Sequence, residues 1–195
     1  MQPRFPKPAY LDVLSLTTGR TYGLVAAEHV ADLPRAATDV TRICNEARIY
    51  DELFRRRLAG RPYTGMHAAG FLAWAREGWQ QGTHFVFFLM TPEERIAGAL
   101  DIKSSALDGA EIGYWASSAH KGIMTGGVAS LRELAARAGY QALYARVRQG
   151  NIRSSAVLRR NGFTPAGAVA EGGVSLDVYI RSLEGSAGRS ESWSN

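Results

Sequence analysis

The residues best able to do chemistry lie between positions 111 and 163. Ala119-His120-Lys121-Gly122-Ile123-Met124-Thr125 is a short basic loop that opens a helix. The free N–H groups and the dipole at a helix N-terminus favour an anion, phosphate above all. Gly122 permits a positive φ, and Lys121 adds a full charge. A plain helix start capped by Thr125 accounts for the same residues, so the loop alone leaves both readings open. It lacks the Gly-Lys-Ser/Thr of a Walker A loop, and it is no dinucleotide fingerprint. Further on, Asn151 is followed by Ser154 three positions later, the pattern of an N-cap with a polar N3 residue. A cap residue's side chain can still face a ligand.

Other reactive types are less organised. His29, His67, His84 and His120 are scattered without metal-ligand spacing, so no metal is expected. Cys44 falls among Val40, Ile43 and Ala47 at helical spacing and reads as core rather than nucleophile. No Gly-x-Ser-x-Gly elbow occurs. Arg55, Arg56, Arg57 and Arg61 form the densest charge run. It reads either as a solvated helix end or as a rim that attracts an acidic substrate segment or a phosphate.

These residues must be placed by an α/β fold. Residues 1–10 read as a loose Pro-rich arm, and 11–27 as a hairpin turning at Thr18-Gly19. Asp32 before Leu33-Pro34 predicts a helix start. Helical spacing then runs on past Ala47 through Leu53, Phe54 and Leu58 to Gly60. Met66 to Gln81 is a second amphipathic helix, with Phe71, Leu72, Trp74 and Ala75 on its buried side. Phe85 to Met90 is apolar on both faces, as a central strand is, and 96–102 and 111–116 complete a meander. A helix from Gly122 to a stop at Gly139, a strand at 142–148, a helix at 151–161 and two last strands follow. The expected architecture is a mixed sheet of six to seven strands with about four helices and one parallel crossover. Residues 1–183 form one domain, and the Gly/Ser-rich 184–195 read as a disordered tail.

Composition sets the outer limits. A chain of 195 residues with 46% hydrophobic content fills one core and excludes disorder as its main state. Its longest apolar run, Phe85–Met90, is far below the ~20 residues of a membrane span, and Pro3, Pro6 and Pro8 break any leader-like run. A lone cysteine excludes an intrachain disulfide, so a reducing cytoplasm is expected. With 23 Lys and Arg against 18 Asp and Glu, the net charge of +5 suits an anionic ligand. Nucleic acid is disfavoured, because the basic residues form no stripe interleaved with aromatics.

Taken together, Glu111-Ile112-Gly113-Tyr114-Trp115, the loop Lys121 to Thr125, Val147 to Ser154, Val157-Leu158 and Asn161-Gly162-Phe163 resemble the GNAT acetyltransferases. The Rim group, which acetylates protein N-terminal amines, is the closest in pattern. The resemblance spans about residues 20–183, and two motif blocks stand in the family's order and spacing. It implies acetyl-CoA in a V-shaped gap between the strands at 111–116 and 142–148. The pyrophosphate would sit on backbone N–H groups of His120, Lys121, Gly122, Ile123, Met124 and Thr125, and the pantetheine arm along Trp115 and Ala116. Asn151 resembles the family's pantetheine-binding Asn, and Ser154 the hydroxyl that protonates the departing thiolate. The sequence departs from the family's usual loop at Ala119, and Met124 takes its last place.

The reaction that this resemblance implies needs an unprotonated amine. An α-amine of pKa ~7.8 is about a quarter free near neutral pH, against about 0.1% of a lysine. Glu111 is the first candidate for a base acting through water; a solvated hairpin-end carboxylate is the alternative. Tyr179 is a candidate for positioning the amine or acting as acid, or a half-buried core aromatic. The expected function is acetyl transfer to a protein or peptide N-terminus. A small amine acceptor (aminoglycoside, polyamine, amino acid) and a non-catalytic CoA-binding module are the alternatives. The resemblance suggests a monomer or homodimer.

Overall fold

The computed structural model describes residues 2–183. The expected tail at 184–195 lies outside the described residues. The chain forms one eight-stranded sheet in the order β1-β2-β3-β4-β5-β6-β8-β7. Its strands are Tyr10–Leu14 (β1), Thr21–Ala26 (β2), Phe85–Met90 (β3), Ile96–Ile102 (β4), Ala110–Ala116 (β5), Ala142–Arg148 (β6), Thr164–Glu171 (β7) and Val174–Ser182 (β8). The sheet has eight strands rather than six or seven, because both arms of the first hairpin join it. The helices are Leu33–Cys44 (α1), Ala47–Ile49 (α2), Gly65–Gln81 (α3), Ile123–Ala138 (α4) and Ile152–Arg160 (α5). No helix among the described residues is long and apolar enough to cross a membrane.

The sheet separates two cores. β3 is buried on both faces because successive side chains point to opposite sides. Phe87 and Leu89 pack with Leu100, Val128 and Leu131 beneath α4. Val86 and Phe88 pack with Val40, Ile43 and Leu72 beneath α1 and α3. Each large apolar side chain fully buried this way contributes roughly 1.5–3 kcal/mol.

Three expectations change. The helix expected to run from residue 33 to 58 ends at Cys44. Asn45 donates from Nδ2 to the Tyr63 carbonyl (2.7 Å) and accepts the Tyr63 N–H at Oδ1 (3.0 Å), which turns the chain. Glu46 is extended, and a short α2 leads into a π-helical turn at Tyr50–Phe54. Trp74 is not on the buried side of α3: it is 41% exposed and stacks on His84. Trp79 instead turns inward and donates from Nε1 to the Val86 carbonyl (2.8 Å). The N-terminal arm is packed rather than loose. Phe5 sits 4.7 Å from Phe85 and 5.0 Å from Trp79, ring centre to ring centre, and the Arg4 N–H bonds the Ala138 carbonyl.

The feature that makes a site is the one parallel pair. β5 and β6 are in register only at Ala110↔Leu143 and Glu111↔Tyr144. Beyond that they diverge, because β5 stays with β4 as far as Ala116 and β6 stays with β8 along its whole length. Each half of the sheet twists with its own partner.

Candidate active site

The divergence opens a cleft of about 820 Å³. It is walled by the end of β5, the β5–α4 loop, the first turns of α4 and α5, and the α2 segment. Ser117 N donates to the Ala97 carbonyl and Lys103 N to that of Glu111, so odd-numbered residues of β5 bond toward β4. Strand alternation then directs the N–H and C=O groups of Tyr114 and Ala116 into the gap. Trp115 pairs with Ala99, and its ring packs toward Phe71. So Ala116 offers backbone to an extended ligand, whereas Trp115 lines the wall.

At the cleft mouth α4 starts on Gly122, at φ +80°, with no side-chain cap and no acidic residue in its first turn. The other helices of at least eight residues are capped: α1 by Asp32, α3 by Thr64 and α5 by Asn151. The α4 start is thus a donor cluster that the protein itself leaves open. Ser15, fully buried, braces it by donating from Oγ to the Lys121 carbonyl (2.9 Å). Thr17 packs where a Gly122 side chain would stand. Ile123 and Met124 bury their side chains in the core and offer backbone alone. Thr125 does not cap the helix; its carbonyl accepts from Asn161 Nδ2 (3.1 Å).

His120 is a correction to the expected phosphate contacts. Its N–H is committed to the Ser117 carbonyl (3.1 Å), and its Nδ1 lies 3.0 Å from Tyr22 Oη. Burial, then the Arg42 and Arg20 charges, holds its pKa below the ordinary value, so the ring is neutral at pH 7. The N–H groups left for a phosphate begin at Lys121.

Asn151 and Ser154 sit together at the start of α5. Asn151 Oδ1 accepts the Ser154 N–H (3.2 Å), while its Nδ2 has no protein partner among the described residues. Cap and ligand-facing donor therefore coexist on one side chain. Ser154 Oγ donates to Tyr114 Oη (2.8 Å), and Tyr114 donates to the Ser154 carbonyl (3.0 Å). Burial pushes the Tyr114 phenol up to about 12, outweighing the Ser154 hydrogen bond. It is protonated at neutral pH. Two hydroxyls in series thus stand at the splay, and sequence reading singled out only one. An aromatic hydroxyl at the carboxyl end of the gap strand is the signal that could have found Tyr114.

The other two expected catalytic residues are placed elsewhere. Glu111 lies at the paired base of β5, where Lys103 Nζ (2.6 Å) and Arg146 Nη2 (2.7 Å) hold its two carboxylate oxygens. Burial opposes its ionisation, but the Arg146 and Lys103 hydrogen bonds outweigh burial and keep the pKa below the carboxylate range. It clamps β4, β5 and β6 and does not line the cleft. Tyr179 is buried on β8 opposite Ala145 and lines not the cleft itself but an adjoining cavity beside Arg159, which shares Ile152, Ala156 and Arg160 of α5 with it. Strand alternation had placed it on a strand; the face of α5 it meets depends on tertiary packing.

The acceptor side of the cleft is built by the broken helix. Glu46 accepts Ser117 Oγ (2.6 Å) and the Ser118 N–H (2.7 Å), fixing the α1–α2 junction to the end of β5. This brings Arg48, Glu52 and Leu53 to the cleft wall. Cys44 is buried and its thiol is pushed up to about 12 by burial, which excludes a thiolate nucleophile. Among the described residues no cluster could hold a metal ion.

A mixed sheet with one splayed parallel pair, an open helix start at its mouth and hydroxyls in the gap defines an acyltransferase-type cleft. The GNAT acetyltransferase domain matches residues 31–164, more than half of the chain. The chain belongs to this family, and it is an acetyltransferase. No curated protein matches it. Among solved structures, Mycobacterium smegmatis RimJ in complex with a CoA-disulfide is similar at TM-score 0.72 and 21% identity, over 93% of this chain and 90% of that one. RimL, a ribosomal L7/L12 α-N-protein acetyltransferase in complex with coenzyme A, is similar at TM-score 0.70 and 23% identity, over 88% and 98%. The microcin C7 self-immunity acetyltransferase MccE, bound to acetyl-CoA and AMP, follows at 0.68 and 21%, over 86% and 98%. At these identities the likeness shows the fold.

Proposed function

We propose that this chain transfers acetyl from acetyl-CoA to the α-amine of a protein or peptide N-terminus, by direct attack in a ternary complex. One observation carries the reading: the splayed edge of β5 and the uncapped start of α4 meet in one cleft with the Tyr114–Ser154 hydroxyl pair. The residues fit the cofactor. Backbone N–H groups from Lys121 to Thr125 suit its pyrophosphate, with Lys121 supplying a charge. The gap-facing backbone of Tyr114 and Ala116 and the free Nδ2 of Asn151 suit the amides of its arm. Acetyl-CoA, when bound, supplies a thioester carbonyl as electrophile.

The protein's own part is modest. An α-amine of pKa ~7.8 is already partly free near neutral pH, so a strong base is not required. Ser154 holds a proton at Oγ beside the gap, where a leaving thiolate of pKa near 8.5 needs little help. The arginines of the acceptor wall disfavour polycationic small amines and favour a peptide acceptor. The names of the similar RimJ and RimL structures support the same reading.

Thiol release from acetyl-CoA, measured against peptides with varied N-termini, polyamines, amino acids and aminoglycosides, tests it. The expected result is release with peptides and one acetyl group on the α-amine by mass spectrometry. Absence of acetyl-CoA binding at millimolar concentration refutes it. So does turnover confined to small amines.

A further inference from the structure

We infer that the acceptor side selects N-termini followed by acidic residues, so that the substrate class is an acidic N-terminal peptide. The inference rests on the α-amine reading above and specifies it.

Glu52 and Leu53 line both the main cleft and an adjoining cavity of about 370 Å³, so the two are continuous. Arg56, Arg57 and Arg148 stand on the walls of that second cavity, and Arg48 stands on the cleft beside it. Asp51 is taken by Arg55 (2.6 Å), and Glu52 lies 3.7 Å from Arg148 Nε. Arg48, Arg56 and Arg57 have no carboxylate partner among the described residues. Arg57 lies over the Phe54 ring (5.2 Å), which fixes its stem and leaves the guanidinium edge open. Arg56 reaches across to the β7–β8 turn at Gly172. The lining thus carries Arg56 and Arg57 beyond the charges that Asp51 and Glu52 answer through Arg55 and Arg148. A fork of N–H donors is matched best by carboxylates.

The CoA pyrophosphate is not the counter-charge for these arginines. Its proposed seat, residues 121–125, shares no residue with the arginine cavity. A chain that places its amine at the Tyr114–Ser154 end and runs out along Glu52 passes into the arginines. An extended segment advances ~3.3 Å per residue, so the first few side chains behind the amine fall there. Exposed charge pairs also steer encounter, an effect that salt screens.

The test uses the full chain and three peptides with one common first residue, followed by Asp/Glu, Asn/Gln or Lys residues. The acidic peptide is expected to exceed the neutral one in kcat/KM by about tenfold at low salt, and the gap should shrink as salt is added. Arg56→Ala with Arg57→Ala should bring that ratio to about one, while Arg56→Lys with Arg57→Lys should keep part of it. Arg137→Ala, on an exposed face of α4, should keep the ratio. Fluorescence anisotropy of a labelled, N-terminally blocked acidic peptide gives a readout independent of turnover. Binding that the double alanine variant loses supports the basic wall even if no peptide is acetylated, in which case the α-amine reading alone fails. Equal kcat/KM for acidic and neutral peptides overturns the inference. A preference that survives the double variant, or tighter binding of an RNA oligonucleotide than of the acidic peptide, also overturns it.

Discussion

Gly122→Ala isolates the role of the β5–α4 loop. Gly122 sits at φ +80°, where a residue with a side chain loses ~1–2 kcal/mol. The added Cβ would stand 2.6 Å from Thr17 Cβ and 3.0 Å from Thr17 N, with Thr17 Oγ1 nearer still. Carbon atoms meet comfortably at about 3.5–4.0 Å, so the β1–β2 turn must move by roughly 1 Å. That turn carries Ser15, whose buried hydroxyl holds the Lys121 carbonyl, a bond worth ~1 kcal/mol. The combined loss is about 3 kcal/mol, and at about 2–4 °C per kcal/mol the melting temperature falls by roughly 6–12 °C. The open N–H groups move with the loop, so acetyl-CoA affinity should fall about tenfold or more. Calorimetric melting and acetyl-CoA titration measure the two effects. Thr17→Gly in the same chain should recover the steric part but not the φ part, giving a coupling of about 1 kcal/mol. A Gly122→Ala protein that melts within about 2 °C of the parent and binds acetyl-CoA equally well would refute the reasoning.

Ser154→Ala should slow turnover about tenfold without abolishing it, because a thiolate leaves readily; complete loss of activity in a folded variant contradicts this. Glu111→Gln should lower stability by about 1–2 kcal/mol and leave the pH–rate profile in place; a shifted profile would restore Glu111 as a base. Burial opposes ionisation of Asp39, but Arg95 and the Ile96 N–H hold its carboxyl below its ordinary value. Asp39→Ala should cost about 2 kcal/mol at pH 7, less than for a fully buried pair because Arg95 is partly exposed. That contribution is present above the unfolded carboxylate value of ~3.9 and is lost as the pH falls through the lower folded value. Urea melts of parent and variant should therefore begin to converge below about pH 4 and meet only below the lower folded value, and a constant gap would refute the assignment. Glu46→Ala should raise the acceptor KM more than the acetyl-CoA Kd, since it frees the α1–α2 junction from Ser117 and Ser118; equal effects on both would count against it.

What could be read in the sequence was local. Asp32 before Pro34, Gly139 at a helix end and Asn151 at a helix start act within a turn of themselves, and each stands where its chemistry predicts. The break after Cys44 depends on Asn45 bonding Tyr63, 18 positions away, and no window of helical spacing contains that pair. The packed arm likewise depends on Phe5 meeting Trp79 and Phe85. At the site, the basic loop and the Asn151–Ser154 pair were legible because each is contiguous. Tyr114 became a candidate only when the fold brought β5 and α5 together, 40 positions apart in sequence.

The site is built from groups that the fold leaves unpaired. Among the described residues β1–β2, β3–β4 and β6–β8 pair over nearly their full length, and three of the four longer helices cap their first turn with a side chain. Three open sets of groups meet in the cleft: the edge of β5 beyond Glu111, the start of α4 at Gly122, and the Nδ2 of Asn151. Backbone groups left open inside a protein carry a free-energy cost that water meets only partly. A ligand with a phosphate at one end and amides along its length satisfies them in order. Capping α4 from within, by Gly122→Asp, would then compete with that ligand at its own binding groups, so the acetyl-CoA Kd should rise by far more than the strain at position 122 alone would cause.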